Sequence, residues 1–342
     1  MPGHELIDSE AIFSPLGAFK RIGLAVSGGP DSLALLLLAA DYARRHQQAE
    51  RFIVYSVDHG LRTEAADEVS FVLAMAAQYG LMARGLKWVG DKPASGLQQA
   101  ARAARYALIG AAMAEDGAEI LVTAHHLGDQ AETVLMRLAH GSGVEGLRGM
   151  DYFAEVGGVL LVRPLLGIEK AQLQRVIAAA GLAPAADPSN TDTTYERVRW
   201  RQMMPQLAAM GLDGRRLARF ADRMRDADAA LDEMASSIVP QLDEATGIRT
   251  LSREALQKAP RAVAIRVLGN LLQATGGGLK PHDLAPIEVL VDRLRADPAL
   301  KRTSLHGCLV SSDGTMIVVA PEPGRSAKGQ SRVKPSDPVT PN

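Results

Sequence analysis

A single cysteine, Cys308, occurs in 342 residues. That excludes an internal disulfide framework and any Cys-x-x-Cys chemistry, and it fits a reducing cytoplasm. Aromatic residues are scarce at 4%, while Ala and Leu abound, so many helices are expected. Charge of either sign is nearly balanced, with a formal net of -1. A globally basic coat for nucleic acid is therefore excluded, although a basic patch on one face is not. The apolar run Leu33 to Ala40 is far shorter than the ~20 residues that span a bilayer. The N-terminal "MPGHELIDSEAIF" carries acids rather than a basic region followed by an apolar one, so no signal peptide and no membrane segment are expected. No internal repeat is visible. What remains is a chain 47% hydrophobic and 23% charged. This is ordinary for a soluble globular protein, and the length suits roughly two domains of ~150 residues.

The pattern along the chain gives the fold class. "RIGLAVSGG" (21–29) alternates apolar and small residues with nothing charged after Arg21, the mark of a strand buried on both faces. An Ala/Leu helix follows to about Arg45. "RFIVYSVDHG", "LMARGLKWVG" and "AEILVTAHH" read as further strands, each separated from the last by a helix-length amphipathic segment, and "GDQAETVLMRLAHG" reads as a fourth helix. Four strand–helix alternations without hairpin-length links predict an α/β fold: a parallel sheet flanked by helices. "GVLLVRPLL" reads as one more strand, followed by a helix over 169–180. "APAADPSNTDTTYER" reads as a loop. A long helical stretch over 196–237 carries interruptions at Pro205 and at Gly211 to Gly214. Helices are expected over 253–259, 261–274 and 281–296, then a hairpin around Asp313-Gly314. The expected division is an N-terminal α/β domain over 1–210, a helical linker over 211–246, a small C-terminal α+β domain over 247–321 and a disordered tail over 322–342.

The chemistry concentrates in short motifs. "SGGPDS" (Ser27, Gly28, Gly29, Pro30, Asp31, Ser32) follows the first strand and opens a helix. Open parallel sheets bind ligands at the carboxyl ends of their strands. Glycines there permit close backbone approach and positive φ, and the helix N-terminus is a seat for phosphate. A Walker loop would end in Lys-Ser/Thr. Here Asp31 stands instead, suited to a Mg2+ that bridges phosphates or to capping the helix. "VDHGLR" puts Asp58 and His59 at the end of the second strand, where the adenosine of a nucleotide would lie. "ARAARY" puts Arg102 and Arg105 on one helical face, suited to phosphate or simply to solvent. In "HHLGDQAET", His125 and His126 are expected at the end of the fourth strand, and Asp129 and Glu132 early in the next helix. Asp129 faces the same cleft as Asp31, so the two carboxylates can share a Mg2+. A His/His/Asp zinc site is disfavoured, because adjacent strand residues point apart. "YERVRWR" interleaves Arg197, Arg199 and Arg201 with Tyr195 and Trp200, the mix that binds RNA. Arg215, Arg219 and Arg223 form a basic stripe, although nearby acids suit internal ion pairs equally well.

"SGGPDS" resembles the signature of the PP-loop ATP pyrophosphatases, whose adenine nucleotide alpha hydrolase-like fold cleaves ATP between the α and β phosphates. With "VDHGLR", "ARAARY", "HHLGDQAET", "GSGVEGLRGM", "RPLL" and "DPSNTDTTYERVRWR" in this order, the chain resembles the tRNA(Ile)-lysidine synthases, closely over about Ile22 to Arg201. Two positions depart from that family's pattern: Asp58 stands where Asn is usual and His140 where Arg is usual. In length the chain resembles the short family members, which have one small C-terminal domain.

The resemblance implies a cytoplasmic enzyme that uses ATP and Mg2+, with a homodimer as its assembly. ATP adenylates C2–O of the wobble cytidine in the CAU anticodon of tRNA(Ile). L-lysine then displaces AMP to give lysidine, changing codon specificity from AUG to AUA and identity from Met to Ile. Ser27 to Ser32 would hold the pyrophosphate and its metal. Asp31 and Asp129 would contact metal or the lysine amine, and Arg105 would offset phosphate charge. Asp129 or Glu132 would take the amine proton. His125 and the Arg197–Arg201 segment would face the tRNA. A tRNA thiolase of the same fold would need more than one cysteine. An amidating ligase of the NAD-synthetase type would not need the Arg/Trp segment. A non-catalytic tRNA-binding protein would not need an intact "SGGPDS".

Overall fold

The computed structural model describes residues 7–61, 63–90, 92–93, 95–182, 194, 196–276 and 284–323. Most of the expected loop before Glu196, Tyr195 within it, Arg62, the expected helix start at 281–283 and the tail beyond 323 lie outside the described residues. Contacts divide the chain into two units. One comprises the chain up to Ala139 together with Arg148–Asp222, and the other His140–Leu147 with the chain from Arg223.

The first unit is built on a six-stranded sheet in the order β3-β2-β1-β4-β6-β5. Its strands are β1 (Ile22–Ala25), β2 (Phe52–Asp58), β3 (Met82–Lys87), β4 (Ile120–Val122), β5 (Phe153–Val156) and β6 (Val159–Val162). All pairings are parallel except β5 with β6. The helices are α1 (Ser9–Phe13), α2 (Pro30–His46), α3 (Ala65–Gln78), α4 (Leu97–Asp116), α5 (Leu127–Ala139), α7 (Lys170–Ala179), α8 (Glu196–Ala209) and α9 (Gly214–Ser236), which runs on past the boundary between units; α6 (Val144–Leu147) belongs to the second unit. Strand residues alternate between two cores. Ile22, Leu24, Phe52, Val54, Ile120 and Val122 meet α2, α3 and α7. Ile53, Tyr55, Leu121 and Leu161 meet Tyr106, Ile109 and Met113 of α4. That two-sided burial is why these strands read as apolar runs. Gly23 is small because a Cβ there would lie 2.8 Å from Cε2 of Tyr55. Leu33, Leu35 and Leu36 of α2 are fully buried, each stabilising the unit by roughly 1.5–3 kcal/mol.

Several local expectations need correction. β4 stops at Val122, so His125 and His126 lie in its link to α5. β5 forms a hairpin with β6 across Gly157 (φ 60°) and Gly158 (φ 78°), a turn that both glycines permit. Pro205 does not interrupt α8, which runs through it; the break falls at Gly211, with φ of 95°.

The second unit holds an antiparallel five-stranded sheet in the order β7-β8-β11-β10-β9. Its strands are β7 (Gln241–Leu242), β8 (Arg249–Ser252), β9 (Thr303–Leu305), β10 (Cys308–Ser312) and β11 (Met316–Pro321). The core joins that sheet to α11 (Arg261–Gly276) and α12 (Leu284–Ala296). Asp313 turns the β10–β11 hairpin, accepting N–H bonds from Thr315 (3.0 Å) and Met316 (2.8 Å). α10 (Arg253–Lys258) is capped by Ser252. No described helix is long and apolar enough to cross a membrane.

Candidate active site

Strand order reverses between β1 and β4: the chain goes from β1 out to β2 and β3, then returns on the other side of β1. The links leaving two such neighbouring strands diverge and open a crevice at their carboxyl ends. "SGGPDS" and "HHLGD" are those two links.

In the first link, Gly28 has φ of 84°, a conformation that favours glycine. Gly29 is in ordinary extended geometry as the N-cap of α2, with Pro30 at the first helical position. A Cβ at Gly29 would make an ordinary van der Waals contact, 3.7 Å from Oγ of Ser27. Ser32 ties the loop together. Its hydroxyl accepts from the Ser27 N–H (3.1 Å) and donates to the Gly29 carbonyl (2.9 Å), with Ser27 Oγ at 3.3 Å. Asp31 sits in the first turn of α2, and its Oδ1 is buried with no hydrogen-bond partner.

In the second link, His126 is 3% exposed and stands between two carboxylates. Nε2 lies 3.6 Å from Asp31 Oδ2, and Nδ1 lies 3.7 Å from Asp129 Oδ2. The Gly128 N–H donates to Nδ1 at 2.9 Å. In the neutral ring the proton is then on Nε2, facing Asp31. Gly128 is required for this packing, since a Cβ there would sit 2.7 Å from His126 Cε1. Burial disfavours the charged ring, but the neighbouring carboxylates of Asp31 and Asp129 outweigh it and raise the pKa of His126. Burial likewise works against ionised Asp31, yet His126, Lys170 and Arg201 together hold its pKa below the usual value.

Asp129 and Glu132 differ sharply. Glu132 is 2% exposed and fully engaged. Arg201 donates to it from Nε (2.8 Å) and Nη2 (3.2 Å), and Arg197 Nε lies 3.2 Å away. Asp129 accepts the His126 N–H at 3.0 Å through Oδ2, while Oδ1 has Arg201 Nη2 at 3.8 Å. Arg197 and Arg201, expected to face RNA, are thus drawn to Glu132, because a buried carboxylate needs cations beside it. Trp200 packs on the cluster of Ala131, Val134, Leu135, Leu217 and Ala221. Arg199 is exposed, with Nη1 donating to the Thr194 carbonyl at 2.9 Å.

The remaining candidates fall into two places. His125 turns away from His126, with Nδ1 2.7 Å from Thr123 Oγ1. Burial, with Arg163, Arg197 and Arg102 outweighing Asp129, lowers its pKa to about 4. Asp58 accepts the Gly60 N–H at 2.7 Å, and His59 meets Arg105. Arg102, on the face it shares with Arg105, lies over the Tyr106 ring at 5.0 Å. His140 belongs to the second unit.

A direct Asp31–Asp129 metal bridge is not what the side chains form, because the His126 ring stands between them. Among the described residues no group of three or more His, Cys, Asp or Glu is arranged to hold a metal. Mg2+ needs no such group, since one or two carboxylates and substrate phosphates suffice. The buried, unpartnered Asp31 Oδ1 beside the loop fits that role. Sequence reasoning weighed His126 only as part of a disfavoured zinc site, and it missed Lys170. Gly128 after the histidine pair was the available signal for His126; Lys170, which acts on both Asp31 and His126, carries none.

The PP-loop domain profile matches residues 7–207. A tRNA(Ile)-lysidine synthase of Rhodopseudomonas palustris is 41% identical, over 95% of this chain and 98% of its own. One of Methylobacterium nodulans is 44% identical, over 91% and 93%. Among solved structures, the U34-tRNA thiolase NcsA of Methanococcus maripaludis, with its 4Fe–4S cluster, has a TM-score of 0.53 at 17% identity, covering 64% of this chain and 78% of its own. That last likeness shows the fold alone. With more than nine-tenths of its length matched at about 40% identity, the chain belongs to the tRNA(Ile)-lysidine synthase family.

Proposed function

We propose that this enzyme joins L-lysine to C2 of the wobble cytidine in the CAU anticodon of tRNA(Ile), with ATP cleaved to AMP and pyrophosphate. The observation that carries the reading is the chain-long match to tRNA(Ile)-lysidine synthases, which includes every element of the crevice. In the first step cytidine O2 attacks the α-phosphorus; the new O–P bond forms as the bond to the β-phosphate breaks, and pyrophosphate leaves. In the second, lysine Nζ attacks C2; the C–N bond forms as the C2–O bond breaks, and AMP leaves with O2. Ser27 to Ser32 and the N-terminus of α2 form the pyrophosphate seat. A Mg2+ on Asp31 would neutralise phosphate charge. Arg105 stabilises charge at the transferring phosphate, and Asp58 and His59 lie on the nucleotide side.

Lysine must attack as a neutral amine, so a carboxylate has to accept a proton. Asp129 is the better candidate, because Glu132 already holds two guanidiniums. We assign Glu132, Arg197 and Arg201 to shaping the pocket from within α5 and α8. Arg199 and His125 remain the candidates for RNA contact. We assign the chemistry to residues 1–210, with 211–246 as a helical linker and 247–321 as a small C-terminal domain, and the cytoplasm as the working compartment. The test is incubation with ATP, radiolabelled lysine and a CAU-anticodon isoleucine transcript. Label in the RNA supports the reading, and none, beside an active control enzyme, removes it.

A further inference from the structure

The guanidinium of Arg105 has an unusual partner. Its Nη2 lies 3.1 Å and its Nε 3.4 Å from Nε2 of His59, which stands 46 residues earlier in the chain. Among the described residues no carboxylate lies within ion-pair distance of Arg105. Among the described residues the charged group acting on it is a second cation, Arg102. A half-buried cation is normally paired with an acid. Here the partner is an imidazole that accepts at Nε2 and therefore carries its proton on Nδ1, an atom that is buried with no partner. Asp58, the adjacent acid, turns its Oδ1 to the Gly60 N–H at 2.7 Å. Trp88 closes the other side, edge to face with the ring at 6.4 Å. Lys92 lies over Trp88 and also faces His59.

This surrounding keeps the ring uncharged. Burial first, then Arg105 and Lys92, outweigh Asp58 and lower the pKa of His59 to about 4. A carboxylate in the same place would orient Arg105 but cancel its charge at short range. A neutral acceptor orients it and leaves the charge for a ligand anion.

We infer that His59 is a positioning residue: it aims the Arg105 guanidinium at a phosphate of the bound nucleotide while leaving that guanidinium's charge uncancelled. The inference rests on the adenylation reading of the site. It assigns to His59 a task other than contact with adenosine, and it predicts that geometry and charge at this position can be separated by substitution.

Three variants make the separation: His59→Ala removes the acceptor, His59→Gln keeps a neutral acceptor, and His59→Glu keeps an acceptor but supplies a negative charge. Pyrophosphate release is followed with ATP, lysine and the CAU transcript, and thermal melting verifies that each variant is folded. His59→Ala is expected to lower kcat for pyrophosphate release roughly 10- to 100-fold, with a smaller change in KM for ATP. His59→Gln is expected to recover most of that loss and His59→Glu none of it. His59→Glu matching His59→Gln would overturn the inference, as would folded His59→Ala at wild-type rate, or His59→Gln no better than His59→Ala. If the wild type releases no pyrophosphate, the adenylation reading fails by itself. Calorimetry with inorganic pyrophosphate then decides the His59 claim: tighter binding by His59→Gln than by both other variants supports it, and equal binding overturns it.

Discussion

The two units treat buried charge in opposite ways. In the second, Arg266 is held by Asp228 and by Asp232. Arg253 donates to the Leu294 (3.2 Å) and Arg295 (3.0 Å) carbonyls at the end of α12, and Arg295 returns the favour to Leu256 (3.1 Å) and Ala259 (2.6 Å) at the end of α10. Among its described residues, the unpaired buried side-chain atoms are Arg295 Nε, on α12, and His306 Nε2, in the β9–β10 turn. Among the described residues of the first unit, Asp31 Oδ1, His59 Nδ1, Arg163 Nε and Arg197 Nε lack hydrogen-bond partners, and Arg105 has only a neutral one. Asp31, His59, Arg163 and Arg105 stand at or beside the carboxyl ends of the parallel strands, while Arg197 faces Glu132 from α8. Polar and charged groups left open along one sheet edge mark where a charged ligand supplies the missing partners, whereas closed charges hold a fold together.

If that contrast is sound, removing an open charge should damage activity and spare stability. Asp31→Asn is expected to lower pyrophosphate release by roughly 1000-fold, about 4 kcal/mol of transition-state stabilisation, without lowering Tm. A large fall in Tm would place Asp31 with the structural charges. Removing a closed charge should do the reverse. Asp228→Asn leaves Arg266 with Asp232 alone, and a loss of about 3 kcal/mol is expected in denaturant melts, with pyrophosphate release at low temperature near wild type.

A third case lies between the two. Glu132→Gln should cost about 2 kcal/mol, because Arg197 and Arg201 lose their carboxylate, and lysine transfer should fall with it. Asp129→Asn should reduce lysine transfer while leaving the melt unchanged, so equal effects on the melt would erase the distinction drawn between these neighbours. The smallest effect concerns pH. His59 and His125 have folded-state pKa values of about 4 against 6.5 when unfolded. Their neutral forms therefore contribute stability above pH ~6.5 that is lost as pH falls toward ~4. His126 runs the other way, its contribution present below its unfolded pKa and lost as pH rises through the raised folded value. Replacing His59 and His125 together with Gln should flatten the acid side of the stability profile, and an unchanged slope would contradict their neutrality.

The parallel sheet was legible because strands buried on two faces leave continuous apolar runs, as Phe52 to Val57 do. β5 was not, because Phe153 and Glu155 at the sheet edge are exposed and leave no such run. α1, five residues long, is too short for a helical period to show. "SGGPDS" and "HHLGD" could be placed at one sheet edge from the alternation of elements alone. Which histidine would face Asp31 could not, since that depends on how far β4 extends and on the ring folding over Gly128. The His59–Arg105 and Glu132–Arg201 pairs join residues 46 and 69 positions apart, beyond any local pattern.

The most direct test is stoichiometric. With ATP, labelled lysine and the CAU transcript, the enzyme should release one AMP and one pyrophosphate for each lysine fixed. A transcript carrying uridine at the wobble position should fix none. ADP and phosphate in place of AMP and pyrophosphate, or lysine fixed equally on both transcripts, would contradict the account.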